Sequence, residues 1–155
     1  MNEVVSISES RIPIEMGRAG REQPELLAFI LGATEGMGQG VSELAGFIYF
    51  VFWKVFRGQT RGKMKLVTAG AIQRKLEENE RSLAELDGTD PQTIDAALIA
   101  RITRQPALFG YMIEAITTAE EDEHEPVVMS PEEKGAVVLL LKTALDALDD
   151  VSGKS

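Results

Sequence analysis

A nine-residue phrase occurs twice in this chain, and it restricts the fold more than any other feature: Gln23-Pro24-Glu25-Leu26-Leu27-Ala28-Phe29-Ile30-Leu31 returns as Gln105-Pro106-Ala107-Leu108-Phe109-Gly110-Tyr111-Met112-Ile113. Residue class follows residue class: Gln-Pro, then leucine, a large apolar residue, a small one, an aromatic and two aliphatics. Proline suits the first turn of a helix, where its missing N–H has no intrahelical partner to lose. Each copy is followed by a loop and then by a strongly apolar helical segment, 41–56 after the first and 131–148 after the second. This predicts one helix–loop–helix unit used twice, packed about a pseudo-twofold axis with Gly46 and Gly135 as counterparts.

Between the two units the pattern calls for two linking helices. Thr68 can cap the first, 69–86, whose apolar stripe is Ile72, Leu76, Leu83 and Leu86. Asp90-Pro91 pairs an N-cap residue with proline at N1 and opens the second, with Ile94, Leu98 and Ile102 facing inward. In the second unit, Ser130-Pro131-Glu132-Glu133 spells a capping box, the strongest local start signal in the chain. Ser42 is the expected opening of the first unit's apolar helix. Residues 1–22 show a weak apolar alternation broken by Pro13 and two glycines, which reads as an extended or flexible arm. The expectation is an all-α protein of about six helices: an arm over 1–22, a single helical domain over 23–150, and a disordered tail over 151–155. The repeated Gln-Pro-x-Leu helix and its apolar successor resemble the general pattern of small bacterial proteins, a resemblance that names no family and implies no activity.

The inventory of reactive groups is short. Without cysteine there is no thiol nucleophile, thiolate metal site or disulfide, which fits a reducing cytoplasm. The single histidine, His124, lies in the acidic run Glu120-Glu121-Asp122-Glu123-His124-Glu125. That run lacks the alternating Asp/Asn and central glycine of a calcium loop, so it reads as a solvated acidic loop. Gly36, Gly38 and Gly40 follow a helix, have the wrong spacing for a dinucleotide fingerprint, and precede no Gly-Lys-Ser/Thr. Tyr49 and Tyr111 sit inside apolar helices. Nothing here specifies catalysis, and no cofactor or metal is expected. The longest apolar run, Leu44 to Trp53, has ten residues where a bilayer span needs about 20, so no membrane is expected.

Charge is segregated along the chain. From Leu44 to Leu76 there is no acid, while Lys54, Arg57, Arg61, Lys63, Lys65, Arg74 and Lys75 contribute +7. From Thr117 to Ser155 ten acids stand against three lysines, a balance of −7. The net charge of −9 disfavours nucleic acid. The basic connection, Lys54, Arg57, Arg61, Lys63 and Lys65, is therefore expected to meet acidic surface, either the chain's own 120–125 loop or a partner's. The aromatic helix has two readings, a core helix or a docking face presenting Tyr49, Phe52, Trp53 and Phe56. Together these features predict a non-enzymatic helical interaction protein, an adaptor or small subunit of a bacterial complex, with a protein partner or a second copy as a homodimer. The alternative is a helical module binding a small apolar or anionic ligand.

Overall fold

The computed structural model describes residues 12–62, 64–84 and 103–152. Among them are six α-helices and no strand: α1 (Ile12–Glu22), α2 (Pro24–Thr34), α3 (Gln39–Gln59), α4 (Ala69–Ala84), α5 (Pro106–Glu120) and α6 (Pro131–Val151). A single 3-10 turn, Glu35–Met37, joins α2 to α3. The expected helix after Asp90-Pro91 lies outside the described residues, as do Lys63 and residues 153–155. No described helix is long and apolar enough to cross a membrane.

The two longest helices, α3 and α6, are 21 residues each and run through the centre. α3 is apolar on nearly every side, with Ile48, Phe52, Trp53 and Phe56 fully buried, and such a helix must be enclosed. Packing of α1, α2, α5 and α6 around it supplies that enclosure within one chain. α6 lies against α2, α3, α4 and α5 and buries Leu141, Ala144, Leu145 and Leu148. Each Gln-Pro helix packs on the long helix that follows it, α2 on α3 and α5 on α6.

The two repeated glutamines hold nearly the same backbone, φ −134°, ψ 67° at Gln23 and φ −125°, ψ 65° at Gln105, with proline next in each case. Neither side chain caps its own helix. Each reaches instead to a distant segment. Gln23, wholly buried, donates through Nε2 to the Lys65 carbonyl at 2.8 Å and accepts the Val67 N–H at 2.9 Å. Gln105 donates to the Asp149 carboxylate at 2.9 Å.

Three boundaries differ from the sequence reading. Residues 12–22, expected as an arm, form α1. Its stability is tertiary: Ala19 and Glu15 are buried, Glu15 pairs with Lys54 at 3.3 Å, and Glu22 pairs with Arg57 at 3.0 Å. Helical spacing at 15, 19 and 22 outweighs the apparent two-residue alternation. α3 starts at Gln39, ahead of Ser42, because Gly38 takes φ 101°, a left-handed turn open to glycine. Ser42 accepts instead from the Thr34 hydroxyl at 3.1 Å, tying α3 to α2. The last helix runs through Val151, where a tail was expected. The capping box forms as read, with Ser130 Oγ accepting the Glu133 N–H at 3.0 Å and Glu133 accepting the Ser130 N–H at 2.9 Å.

Candidate functional site

The four aromatics expected on a docking face of α3 are enclosed instead. Tyr49, Phe52, Trp53 and Phe56 are each at most 1% exposed. The helices that cover α3 leave only Phe47 of its aromatics at the surface, 37% exposed. Phe47 packs inward on Phe50 with ring centroids 6.2 Å apart and planes tilted by 46°, and Phe50 stacks on Trp53 at 6.2 Å. A rigid aromatic column therefore runs from the core to the surface and ends at Phe47.

The basic connection is drawn inward rather than toward the 120–125 loop. Lys54 and Arg57 meet the acids of α1, Glu15 and Glu22. Arg57 also donates to the Gly62 carbonyl at 2.9 Å and closes the turn after α3. Glu120, in turn, pairs with Lys134 at 2.7 Å. Asp122 accepts the N–H groups of Glu125 and His124, which hold its carboxyl below the usual carboxylate range. Arg61 and Lys65 remain exposed next to Leu66, which is 55% exposed, and Lys63 lies outside the described residues.

Phe47 stands between two adjoining recesses. One, about 530 Å³, lies among α1, α2 and α3 and is lined by Met16, Leu27, Leu31, Gly46 and Phe47 with Ser42 and Glu43 at its edge. The other, about 560 Å³, is formed where the segment 125–128 crosses the start of α3, with Met37, Val41, Leu44 and Val127 on its walls. Glu43 and Phe47 line both. Leu31 is 44% exposed, and Ile14 and Val128 stand out at 68% and 80%. Isolated exposed apolar side chains are ordinary on a protein surface, whereas a concave group of them marks a contact region. The sequence reading missed this site because its members come from four separate segments. The one local signal was Phe47 itself, the aromatic of the series that sits beside Glu43 and Gly46.

A third recess, about 350 Å³, is polar and lies between α4, α6 and the segment before α5. At its base Lys142, 2% exposed, donates to Asn79 Oδ1 at 2.6 Å and to Asp146 at 2.8 Å. Asn79 donates onward to Thr143 at 3.3 Å. Arg104 pairs with Asp149 at 2.7 Å and Asp150 at 3.0 Å, and Lys75 pairs with Asp150 at 3.0 Å. Burial works against the Lys75 charge, but hydrogen bonds to Asp150 and Glu78 outweigh it and raise its pKa. Every cation here has a carboxylate partner, and Asn79, buried on α4, is a polar residue the apolar stripe did not include. Among the described residues no group of three or more histidines and carboxylates is arranged to hold a metal ion. Burial, helped by the Glu22 charge, pushes the Tyr49 hydroxyl pKa up, which removes it as an acid–base group near neutral pH.

No protein-family model matches the chain, and neither do curated proteins or solved structures.

Proposed function

We propose that this protein is a helical interaction protein, an adaptor or small subunit, that receives a helix of a protein partner in the paired recess around Phe47. The observation that supports this reading is the convergence of Met16, Leu27, Leu31 and Phe47 around an open apolar depression. A fixed aromatic anchored on a packed core is a common energetic centre of protein interfaces. The recess is open, and small-molecule sites bury most of their ligand's surface, so a protein surface suits it better than a small apolar ligand. The polar recess suits an anionic ligand poorly, since Lys75, Arg104 and Lys142 face Glu78, Asp146, Asp149 and Asp150, three cations against four acids.

Site-specific photo-crosslinking in cells tests the reading. A crosslinker at position 47 should trap one discrete protein species, and the same group at Glu77, exposed on α4, should not. Equal labelling from both positions, or none from 47, would remove the recess as the docking face.

A further inference from the structure

The chemistry around Phe47 also restricts what can occupy it. We infer that the occupant is an amphipathic helix carrying Lys or Arg along the borders of its apolar face, an inference that rests on the docking reading above. The two recesses contain Glu43 and Glu125 and no lysine or arginine. Glu43 accepts a hydrogen bond from Gln39 at 2.8 Å, but neither carboxylate has an ion pair among the described residues. Glu15, Glu22 and Glu120 are matched within the chain, by Lys54, Arg57 and Lys134, while exposed acids such as Glu25 and Glu35 have, like Glu43, no ion pair among the described residues. Glu43 thus borders both recesses and Glu125 the second, with no cation in either lining to offset them. An arriving cation would gain a partner at the rim without leaving water, which favours encounter and orientation more than raw affinity.

Shape agrees with a helix. Depressions of about 530 and 560 Å³ on either side of one phenylalanine call for successive large side chains from one ligand face. Residues three and four apart on a helix present such a row. A second copy fits less well. Packing the patch on itself about a twofold axis would set Glu43 and Glu125 against their own copies, with no cation in the lining to separate them. Packing the exposed Leu66 of a second copy into the patch would bring Lys65 and Arg61 nearby, but one leucine leaves most of both depressions empty.

Titration with two synthetic peptides of about 18 residues, sharing one leucine stripe at helical spacing, tests this. One has lysines flanking the stripe and the other glutamates, and binding is followed by amide chemical shifts up to millimolar peptide. The lysine peptide should shift amides around Phe47 and bind roughly tenfold or more tightly than the glutamate peptide at low salt, with the gap closing as salt is raised. The double variant Glu43→Gln, Glu125→Gln should close the gap at low salt, and Phe47→Ser should abolish both responses. Glu43 and Glu125 are exposed, so their variants should retain the parent melting temperature; Phe47→Ser loses its contact with Phe50 and should melt lower, so its amide spectrum away from the recess must match the parent's for the lost response to count. Equal binding of the two peptides, still lost in Phe47→Ser, would overturn the charge inference and leave the docking reading standing. No response to either peptide would overturn both. A Phe47-dependent dimer that neither peptide displaces would assign the recess to a second copy and overturn the inference as well.

Discussion

Among the described residues, Tyr49 Oη and Trp53 Nε1 are buried without a hydrogen-bond partner, as is Glu22 Oε1 close by. A buried hydroxyl without a partner costs about 1–3 kcal/mol. Tyr49→Phe should therefore be neutral or stabilise by up to about 1 kcal/mol. It should also change the alkaline limb of the stability curve. Burial raises the Tyr49 pKa in the folded protein above its ordinary value of 10.0. The folded state then holds a proton that the unfolded chain releases. That contribution is complete below about pH 10 and falls as pH rises further, at about 1.4 kcal/mol per pH unit. Tyr111 and Lys75, also raised, add to the same limb. Denaturant unfolding of the Tyr49→Phe variant between pH 9 and 12 should show a shallower loss than the parent; an unchanged slope would mean the hydroxyl ionises freely in the fold. Phe50→Ala and Trp53→Ala should each cost about 3–5 kcal/mol, since both are at most 1% exposed. A variant melting within a degree of the parent would contradict that burial. The aromatic spacing left core and docking face as two readings for Tyr49 and Trp53, and enclosure by the neighbouring helices decides for core. Their orphan polar atoms were not readable, because satisfaction depends on neighbours from α1.

At the scale of elements, each Gln-Pro phrase forms a bracket. Each Gln-Pro turn starts a helix and sends its glutamine side chain to a segment more than 40 residues away, Gln23 to the 65–67 stretch and Gln105 to Asp149. Gln23→Ala would strand the buried Val67 N–H together with the partly buried Lys65 carbonyl. Calorimetry should find it destabilised by about 1–3 kcal/mol. Gln105→Ala should cost less, because Asp149 keeps its contact with Arg104 at 2.7 Å. Equal losses at the two sites would mean the brackets carry no difference in burial. Local chemistry made some of this legible: proline at N1, the Ser130–Glu133 box and the Thr68 cap, which accepts the Ala71 N–H at 3.1 Å, all appear where the sequence placed them. α1 was not legible. Gly17 and Gly20 weaken its intrinsic preference, and its ion pairs reach to Lys54 and Arg57, 39 and 35 residues away. A Cβ at Gly20 would lie 2.8 Å from Leu27 Cδ2, so a larger residue there requires that side chain to shift.

Across the whole molecule, charge segregation does two separate jobs, and a pair of reversals separates them. Arg57 is three-quarters buried, pairs with Glu22 at 3.0 Å and donates to the Gly62 carbonyl at 2.9 Å. Arg61, four residues on, is exposed and has no ion pair among the described residues. Arg57→Glu and Arg61→Glu each move the net charge from −9 to −11, so any general effect of added negative charge is the same in both. Their difference reports local contacts alone. Arg57→Glu would face Glu22 with a like charge and leave the turn's carbonyl without its donor, a loss of about 1–3 kcal/mol. For a chain of this length that lowers the melting temperature by about 2–4 °C per kcal/mol. Arg61→Glu should stay within about 0.5 kcal/mol of the parent. Raising salt should narrow the gap only in part, because the charge repulsion is screened while the lost hydrogen bond is not. Two variants with equal melting temperatures would show that α1 is not held by the Arg57–Glu22 pair.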